Sequence, residues 1–381
     1  TYQFDRPFTV LSGLGGVTRN LGCGEIVGQS IRLLNDLIDC GGYGLIIGAP
    51  GLTLDLNGHV IDGVGLDAGI LNNGYDSVTI LNGTITQFDY GILLNPGTAR
   101  NIIDALRLES NQEAGLLLSD ADQNGQGNTI RNSAFAANGY GIWLASNTSQ
   151  AVIRGNALGG NTAGGVYLEF ASNNLIEFNE VTRSGGHGIA MVGGGGNTVS
   201  DNSLSGNSGY GIAAGEELLP SNTNLIQRNT VSEGQGGILV VGSTGNQVLF
   251  NSVSGSTGPG IVLDLAGDSL VRGNDVRSNA SGISLSESSN NRIESNNASG
   301  TLGSGIEIGA LSYTNVVIQN AANQNGGEGI TVEDFAQAGQ GNVIEANTAD
   351  GNGGDGLGVH GVGHTLTGNR AQMNGGWGIY V

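Results

Sequence analysis

The chain has 381 residues, of which 71 are glycine, 5 are proline and only 12% are charged. An apolar content of 38% argues against a disordered chain, and the few prolines argue against collagen. All 13 basic residues are arginine and the net charge is −20, so neither nucleic acid nor an anionic membrane surface is expected as a partner. The sequence has no apolar run of 18 residues, so insertion into a membrane is not expected either. The acidic surface is either a solvated face or a set of carboxylates that line a site or bind cations.

Residues 1–43 precede the regular part of the sequence and contain the mixed apolar run SIRLLNDLIDC. We expect this segment to cap the open end of a repeat domain that extends over residues 44–381, because terminal repeats must protect an unpaired strand edge. The two cysteines, Cys23 and Cys40, both lie here. They indicate one local disulfide and an oxidising compartment, with two buried free thiols as the alternative.

A repeat of about 24 residues runs through the rest of the chain. Each repeat has a glycine that opens an apolar alternation, and an asparagine often stands eight or nine residues before it, as Asn274 does before Gly282. The repeat glycines are Gly69, Gly91, Gly115, Gly141, Gly165, Gly188, Gly211, Gly237, Gly260, Gly282, Gly305, Gly329, Gly356 and Gly378.

The period within a repeat is two, which predicts three short strands of the forms GIxL, NxIxxN and xVxxN. Three such strands cannot bury their apolar faces alone, but stacked repeats can, with each strand pairing in parallel with its equivalent one coil away. We therefore predict an all-β parallel solenoid of about 14 coils. Asn274 and its equivalents are expected to form a stacked asparagine ladder at a turn.

Residues 291–308, NRIESNNASGTLGSGIEI, carry the full repeat pattern. This pattern resembles that of the right-handed, single-stranded parallel β-helix repeat proteins of the pectin-lyase-like superfamily, and the likeness extends over residues 44–381. The resemblance implies a secreted or cell-surface protein, bacterial extracellular or periplasmic. The superfamily includes polysaccharide lyases, glycoside hydrolases, uronan epimerases, phage tailspikes and non-catalytic surface proteins.

With each repeat glycine as position 0, the residues at +2 and +4 are expected to face outward and to stack in columns. A first cluster of such residues has Asp120 and Glu169 as candidate catalytic carboxylates, two coils apart and hence roughly 9–10 Å at the strand spacing. That separation lies near the upper end for inverting glycosidases. The candidate substrate-binding residues beside them are Trp143, Tyr167 and His187, with Asp122 nearby.

A second cluster lies towards the end of the chain. Glu333 and His360 share a column on adjacent coils, and we predict them to be catalytic, because a histidine beside carboxylates can act as acid or base. Glu307 and Asp334 are the candidate substrate-binding residues here. The same group could hold Ca²⁺ or, through His360, a transition metal, but the sequence assigns no metal site and no certain cofactor.

Two functional hypotheses stand. In the first, the chain is an extracellular carbohydrate-active protein, a polysaccharide lyase or glycoside hydrolase whose glycan lies along the β-helix. In the second, it is a non-catalytic adhesive or carbohydrate-binding solenoid. The superfamily's uronan lyases and epimerases commonly use Lys or Arg beside His or Tyr, whereas this chain has no lysine and no arginine in these columns. The sequence stops at GWGIYV within a coil, which suggests an oligomer or a further C-terminal domain.

Overall fold

The computed structural model describes residues 17–121, 126–333 and 340–381, and within these ranges the chain forms β-strands and no helix. It divides into two compact units, the first ending at Asn161 and the second beginning at Thr162. Within each unit every coil pairs in parallel with the next, as Ile92 does with Leu116 and Ile238 with Ile261. The predicted all-β, parallel β-helix fold is confirmed.

Each unit contains two kinds of strand. The GIxL strands begin at or near the repeat glycines, and the ladder strands flank the asparagine turns. In the first unit the GIxL strands are Glu25–Val27, Leu45–Ile47, Ala68–Asn72, Tyr90–Leu94, Ala114–Ser119 and Tyr140–Ala145. Its ladder strands are Val17–Arg19, Ile31–Leu33, Leu37–Cys40, Thr53–Asp55, Val60–Gly63, Thr79–Thr86, Ile102–Glu109, Thr129–Arg131, Ala134–Ala136, Val152–Arg154 and Ala157–Gly159.

The second unit repeats the arrangement. Its GIxL strands are Gly164–Glu169, Ile189–Val192, Tyr210–Ala214, Gly236–Val241, Pro259–Asp264, Ser281–Ser286, Ile306–Ile308, Ile330–Glu333, Leu357–His360 and Ile379–Tyr380. Its ladder strands are Leu175–Glu177, Glu180–Thr182, Thr198–Ser200, Ser203–Ser205, Leu225–Gln227, Thr230–Ser232, Gln247–Leu249, Ser252–Ser254, Leu270–Arg272, Asp275–Arg277, Arg292–Glu294, Val316–Ile318, Val343–Glu345 and Thr365–Thr367.

Apolar side chains from both kinds of strand fill the interior of the coils. Ile238 and Val240 of one GIxL strand are fully buried, as are Ile261 and Leu263 of the next. The glycine that opens the strand is required by close packing: a Cβ on Gly237 would lie 2.2 Å from the carbonyl oxygen of Gly260. This explains why the glycine recurs in every coil.

Buried asparagines connect successive coils of the second unit. Asn274 donates from Nδ2 to Oδ1 of Asn296 at 2.9 Å, and its own Oδ1 accepts from Nδ2 of Asn251 at 3.0 Å. Equivalent side-chain bonds continue in both directions, from Asn179 to Asn369. The ladder satisfies polar groups inside the turn that no water could reach.

Parallel pairing begins early in the described chain. Val17–Arg19 pairs with Ile31–Leu33, and Glu25–Val27 pairs with Leu45–Ile47. A disulfide joins Cys23 to Cys40 within these coils, with the two Cα atoms 5.5 Å apart. Among the described residues there is no helix of the length and apolarity needed to cross a membrane.

Candidate functional site

The register of the GIxL strands confirms the columns expected from the repeat spacing. In the second unit Glu307 faces Thr331, Thr331 faces Gly358, and Gly358 faces Tyr380. Two residues further along these strands, Glu333 faces His360. Residues 20 to 30 apart in sequence therefore stack at the strand spacing of about 4.8 Å, as the count from each glycine predicts.

A further outward column, formed by the residue just before each repeat glycine, was missed by the sequence analysis. In the last coils it contains Ser304, Glu328, Asp355 and Trp377. Backbone hydrogen bonds between consecutive coils hold these residues in line: Gly305 donates to the carbonyl oxygen of Glu328, and Gly329 to that of Asp355, both at 2.9 Å. This column lies beside the +2 column. It brings the carboxylates of Glu328 and Asp355 to the same face.

Glu328 and Asp355 converge over Gly358. A Cβ placed on Gly358 would lie 3.7 Å from a carboxylate oxygen of Glu328 and 3.9 Å from Oδ2 of Asp355. Asp355 is held in this position because its Oδ1 accepts the backbone N–H of Trp377 at 2.5 Å. Gly358 is buried, and the carboxylates of Glu328 and Asp355 both lie at contact distance from the position of its absent Cβ. The sequence did contain a signal for this arrangement. Gly358 occupies an outward column, and acidic residues stand just before two successive repeat glycines, Gly329 and Gly356.

Glu307 is half-buried on the same face. Burial raises the pKa of its carboxyl above the usual 4.5, and the nearby charges of Glu333 and Glu328 raise it further. Both causes favour the protonated form. Glu333 and His360 are exposed, and the His360 ring lies 5.3 Å from that of Tyr380. We call Glu307, Glu328, Glu333, Asp355 and His360 the carboxylate face.

The residues of the first predicted cluster fall in both units. Asp120 and Trp143 belong to the first unit, where Trp143 faces Leu117 and packs 5.5 Å from the ring of Tyr140. Tyr167, Glu169 and His187 belong to the second unit. The pairing of Asp120 with Glu169 across these units stays a prediction, and Asp122 and Asp334 lie outside the described residues.

Within the second unit the first cluster has its own neighbours. Tyr167 faces Ala190 and Glu169 faces Val192 across adjacent strands. Both aliphatic partners are covered, with Ala190 8% and Val192 4% exposed, although their positions point away from the core. His187 lies in the column that precedes the repeat glycines, and its Nδ1 accepts the backbone N–H of Tyr210 at 3.0 Å. Burial lowers the pKa of His187 below 6.5.

No group of three or more His, Cys, Asp or Glu side chains among residues 17–121, 126–333 and 340–381 has a geometry that could hold a metal ion. The carboxylate face brings together a carboxyl with a raised pKa, two carboxylates over Gly358, and an exposed imidazole.

Two protein-family models match the chain. The model described as periplasmic copper-binding protein (NosD) matches residues 53–218, and the model described as right handed beta helix region matches residues 213–337. Together with the fold, these matches identify the chain as a right-handed parallel β-helix repeat protein. No curated protein matches the sequence.

Solved structures share the fold at low identity. The Dettilon tailspike protein is 14% identical with a TM-score of 0.49; the match covers 90% of this chain but only 64% of the tailspike. DFA-IIIase from Arthrobacter chlorophenolicus A6, in complex with GF2, is 17% identical with a TM-score of 0.48, covering 69% of this chain and 81% of that enzyme. Pectate lyase Pel9A is 17% identical with a TM-score of 0.41, covering 71% of each chain.

Proposed function

We propose that the chain is a periplasmic or extracellular protein that hydrolyses a glycan at the carboxylate face. The observation that carries the proposal is the environment of Glu307. Its carboxyl is half-buried and lies near two like charges, which raises its pKa. A carboxyl of this kind keeps its proton at a pH where ordinary carboxylates have lost theirs, as the general acid of a glycoside hydrolase must.

The second carboxylate of the reaction is assigned to Asp355. The hydrogen bond from Trp377 fixes its Oδ1, so that Oδ2 lies over Gly358, and we assign to this oxygen the task of orienting a water. Glu307 and Asp355 lie two coils apart in neighbouring columns, with a rise of roughly 9–10 Å between their coils at the strand spacing. This is near the upper end of the separation that leaves room for a water between acid and base, and it favours inversion at the anomeric carbon. A lyase is less favoured, since the predicted outward columns contain no lysine or arginine.

The location is inferred from two features. The matching family model is described as periplasmic, and the disulfide between Cys23 and Cys40 suits an oxidising compartment.

Copper binding, which the same family description names, does not fit the described residues. Copper prefers imidazole, thiolate and thioether ligands. Within residues 53–218 His59 is bonded through Nδ1 to Asp36, and His187 is bonded through Nδ1 to the Tyr210 amide. Met191 is fully buried in the core, and both cysteines are oxidised.

The experiment is an assay of reducing ends released from a panel of neutral and uronic-acid polysaccharides, with absorbance from unsaturated products followed in parallel. We expect Glu307→Gln to reduce turnover at least a hundredfold. The matched control is Glu294→Gln, because Glu294 lies on a ladder strand and pairs with Arg292. Unsaturated products in place of new reducing ends, or equal turnover in the two variants, would overturn the assignment.

A non-catalytic glycan-binding solenoid is the second candidate. It is favoured by the +2 column of the second unit, where Leu239 and Val262 are half-buried apolar residues on an outward face. Such a stripe can pack against the apolar face of sugar rings without any chemistry. Binding of a polysaccharide with no turnover, unchanged by Glu307→Gln, would select this candidate.

A further inference from the structure

A groove of about 330 Å³ lies in the first unit, on the ladder strands and away from the GIxL columns. Its walls and floor are formed by residues from four successive coils. The lining residues are Arg32, Asp55, Asn57, Gly58, Asn82, Gly83, Thr84, Ala105 and Arg107. A groove of this size has room for a ligand of one to two sugar rings.

The groove is produced by a bend in the ladder strands. Asn57, Asn82 and Ala105 have φ values of 52°, 60° and 52°, so each coil turns sharply at the same place. Residues before the bend, such as Arg32, and residues after it, such as Arg107, therefore line the same groove. The floor stays open because small residues occupy it: a Cβ on Gly58 would meet nothing within 4 Å.

Two guanidinium groups enter this groove. Arg32 donates from Nε and Nη2 to Oδ1 of Asn57, and Arg107 donates from Nε and Nη2 to Glu109. The Nη1 group of each arginine has no hydrogen-bond partner within residues 17–121, 126–333 and 340–381. Both side chains are more than two-fifths exposed. Each can therefore offer N–H donors to a ligand.

Asp55, the acidic residue that lines the groove, already accepts hydrogen bonds from neighbouring residues. Asp55 accepts the backbone N–H of Asn57 at 2.8 Å and the side-chain amide of Asn82 at 3.2 Å. The nearest nitrogen of Arg32 lies 3.7 Å from the other carboxylate oxygen of Asp55, too far for a good hydrogen bond. Asp55 thus neutralises Arg32 only in part.

We propose that this groove binds a carboxylate-bearing sugar, a uronate unit of an acidic glycan. Arg32 and Arg107 bind the carboxylate, because the guanidinium fork matches two carboxylate oxygens. Thr84 and the amides of Asn57 and Asn82 are placed to bind the sugar hydroxyls. The choice of a sugar, as opposed to any small anion, rests on the proposed glycan function; the anion preference rests on the two arginines alone.

The test is isothermal titration calorimetry of the full chain with digalacturonate, its dimethyl ester and inorganic phosphate. We expect digalacturonate to bind and Arg107→Gln to weaken it at least tenfold, with no binding of the ester. Asp55→Asn should strengthen binding several-fold, because it removes an opposing charge while keeping an acceptor oxygen. Arg32→Lys should weaken binding, since it keeps the charge but loses the fork.

The chain supplies a matched control for Arg107. Arg292 pairs with the glutamate two residues on, as Arg107 does, and is 44% exposed against 43%. Arg292→Gln should leave binding unchanged, and circular dichroism checks that both variants fold. Equal affinity in the Arg107 and Arg292 variants, or phosphate bound as tightly as digalacturonate, would overturn the proposal. Titrations on the Glu307→Gln background separate this result from the hydrolase assignment, because that variant should bind normally.

Discussion

The backbone N–H of Tyr210 donates a hydrogen bond to Nδ1 of His187 at 3.0 Å. This bond fixes the neutral tautomer of His187, with its proton on Nε2. Burial is the largest influence and lowers the pKa of His187, while the charge of Glu216 acts in the opposite direction. The ring also lies 6.1 Å from that of Tyr210, whose pKa is raised by burial and by Asp264. His187 is therefore a structural acceptor that resists protonation.

The lowered pKa predicts a loss of stability in mild acid. The unfolded chain takes up the proton near pH 6.5 and the folded chain only at lower pH, so stability falls as pH drops from about 6.5 to the folded value. His187→Asn keeps an acceptor for Tyr210 but does not titrate. Between pH 7.5 and 5 we expect the Tm of the variant to fall by about 1–3 °C less than that of the wild type. Identical pH profiles in scanning calorimetry would show that His187 does not titrate differently on folding.

Glu307 has the opposite shift, and its replacement should separate activity from stability. Because its pKa is raised above 4.5, the ionised side chain costs stability at neutral pH, and that cost disappears as pH falls through the raised pKa towards 4.5. Glu307→Gln should therefore raise Tm by about 1–3 °C at pH 7 and by little below pH 4.5, while turnover is lost. Thermal melts at both pH values test this. A variant less stable than the wild type at pH 7 would mean that Glu307 has a structural partner that requires its charge.

The asparagine ladder predicts a large cost for a single rung. Asn274 is 1% exposed, and its side chain bonds to Asn251, Asn296 and the carbonyl oxygen of Val248. Asn274→Ala leaves several buried groups without partners, so we expect a loss of about 3–5 kcal/mol in urea unfolding. Asn297→Ala is the control, because Asn297 is half-buried and its side chain forms a single hydrogen bond among the described residues, from its amide to Asp275. Similar losses in the two variants would contradict a special role for the ladder.

The fold could be predicted from sequence because the spacing of the repeat determines the register in which the strands pair. Counting from each glycine places Glu333 opposite His360, and the strands pair in that way. The spacing works because glycine is sterically required at the start of each GIxL strand and asparagine at the ladder turn, so both mark fixed points of the coil. Insertions between these points change the length of a coil without changing which residues face each other.

Less of the candidate site could be predicted. Glu328 and Asp355 precede the apolar alternation, and their direction depends on the turn before the strand, which the period of two does not describe. The burial of Ala190, which is only 8% exposed, could not be predicted either. The alternation of apolar residues indicates which way a side chain points, but not whether another part of the chain covers it. The groove lined by Arg32 and Arg107 could not be predicted from any feature of the sequence. It depends on a bend at Ala105, a residue type that does not mark a positive φ in sequence.

The disulfide predicts that the first coils depend on an oxidising environment. It closes a loop of 17 residues between an exposed Cys23 and a fully buried Cys40. In the chain-entropy model such a loop contributes about 3 kcal/mol, so the Cys23→Ser, Cys40→Ser double variant should destabilise the first unit by that amount. Hydrogen exchange measures this directly, since amides of strands such as Leu45–Ile47 should lose protection. The second unit contains no cysteine, and strands such as Gly236–Val241 serve as the internal control. Unchanged protection in the first unit, with or without reductant, would mean that strand pairing alone holds these coils.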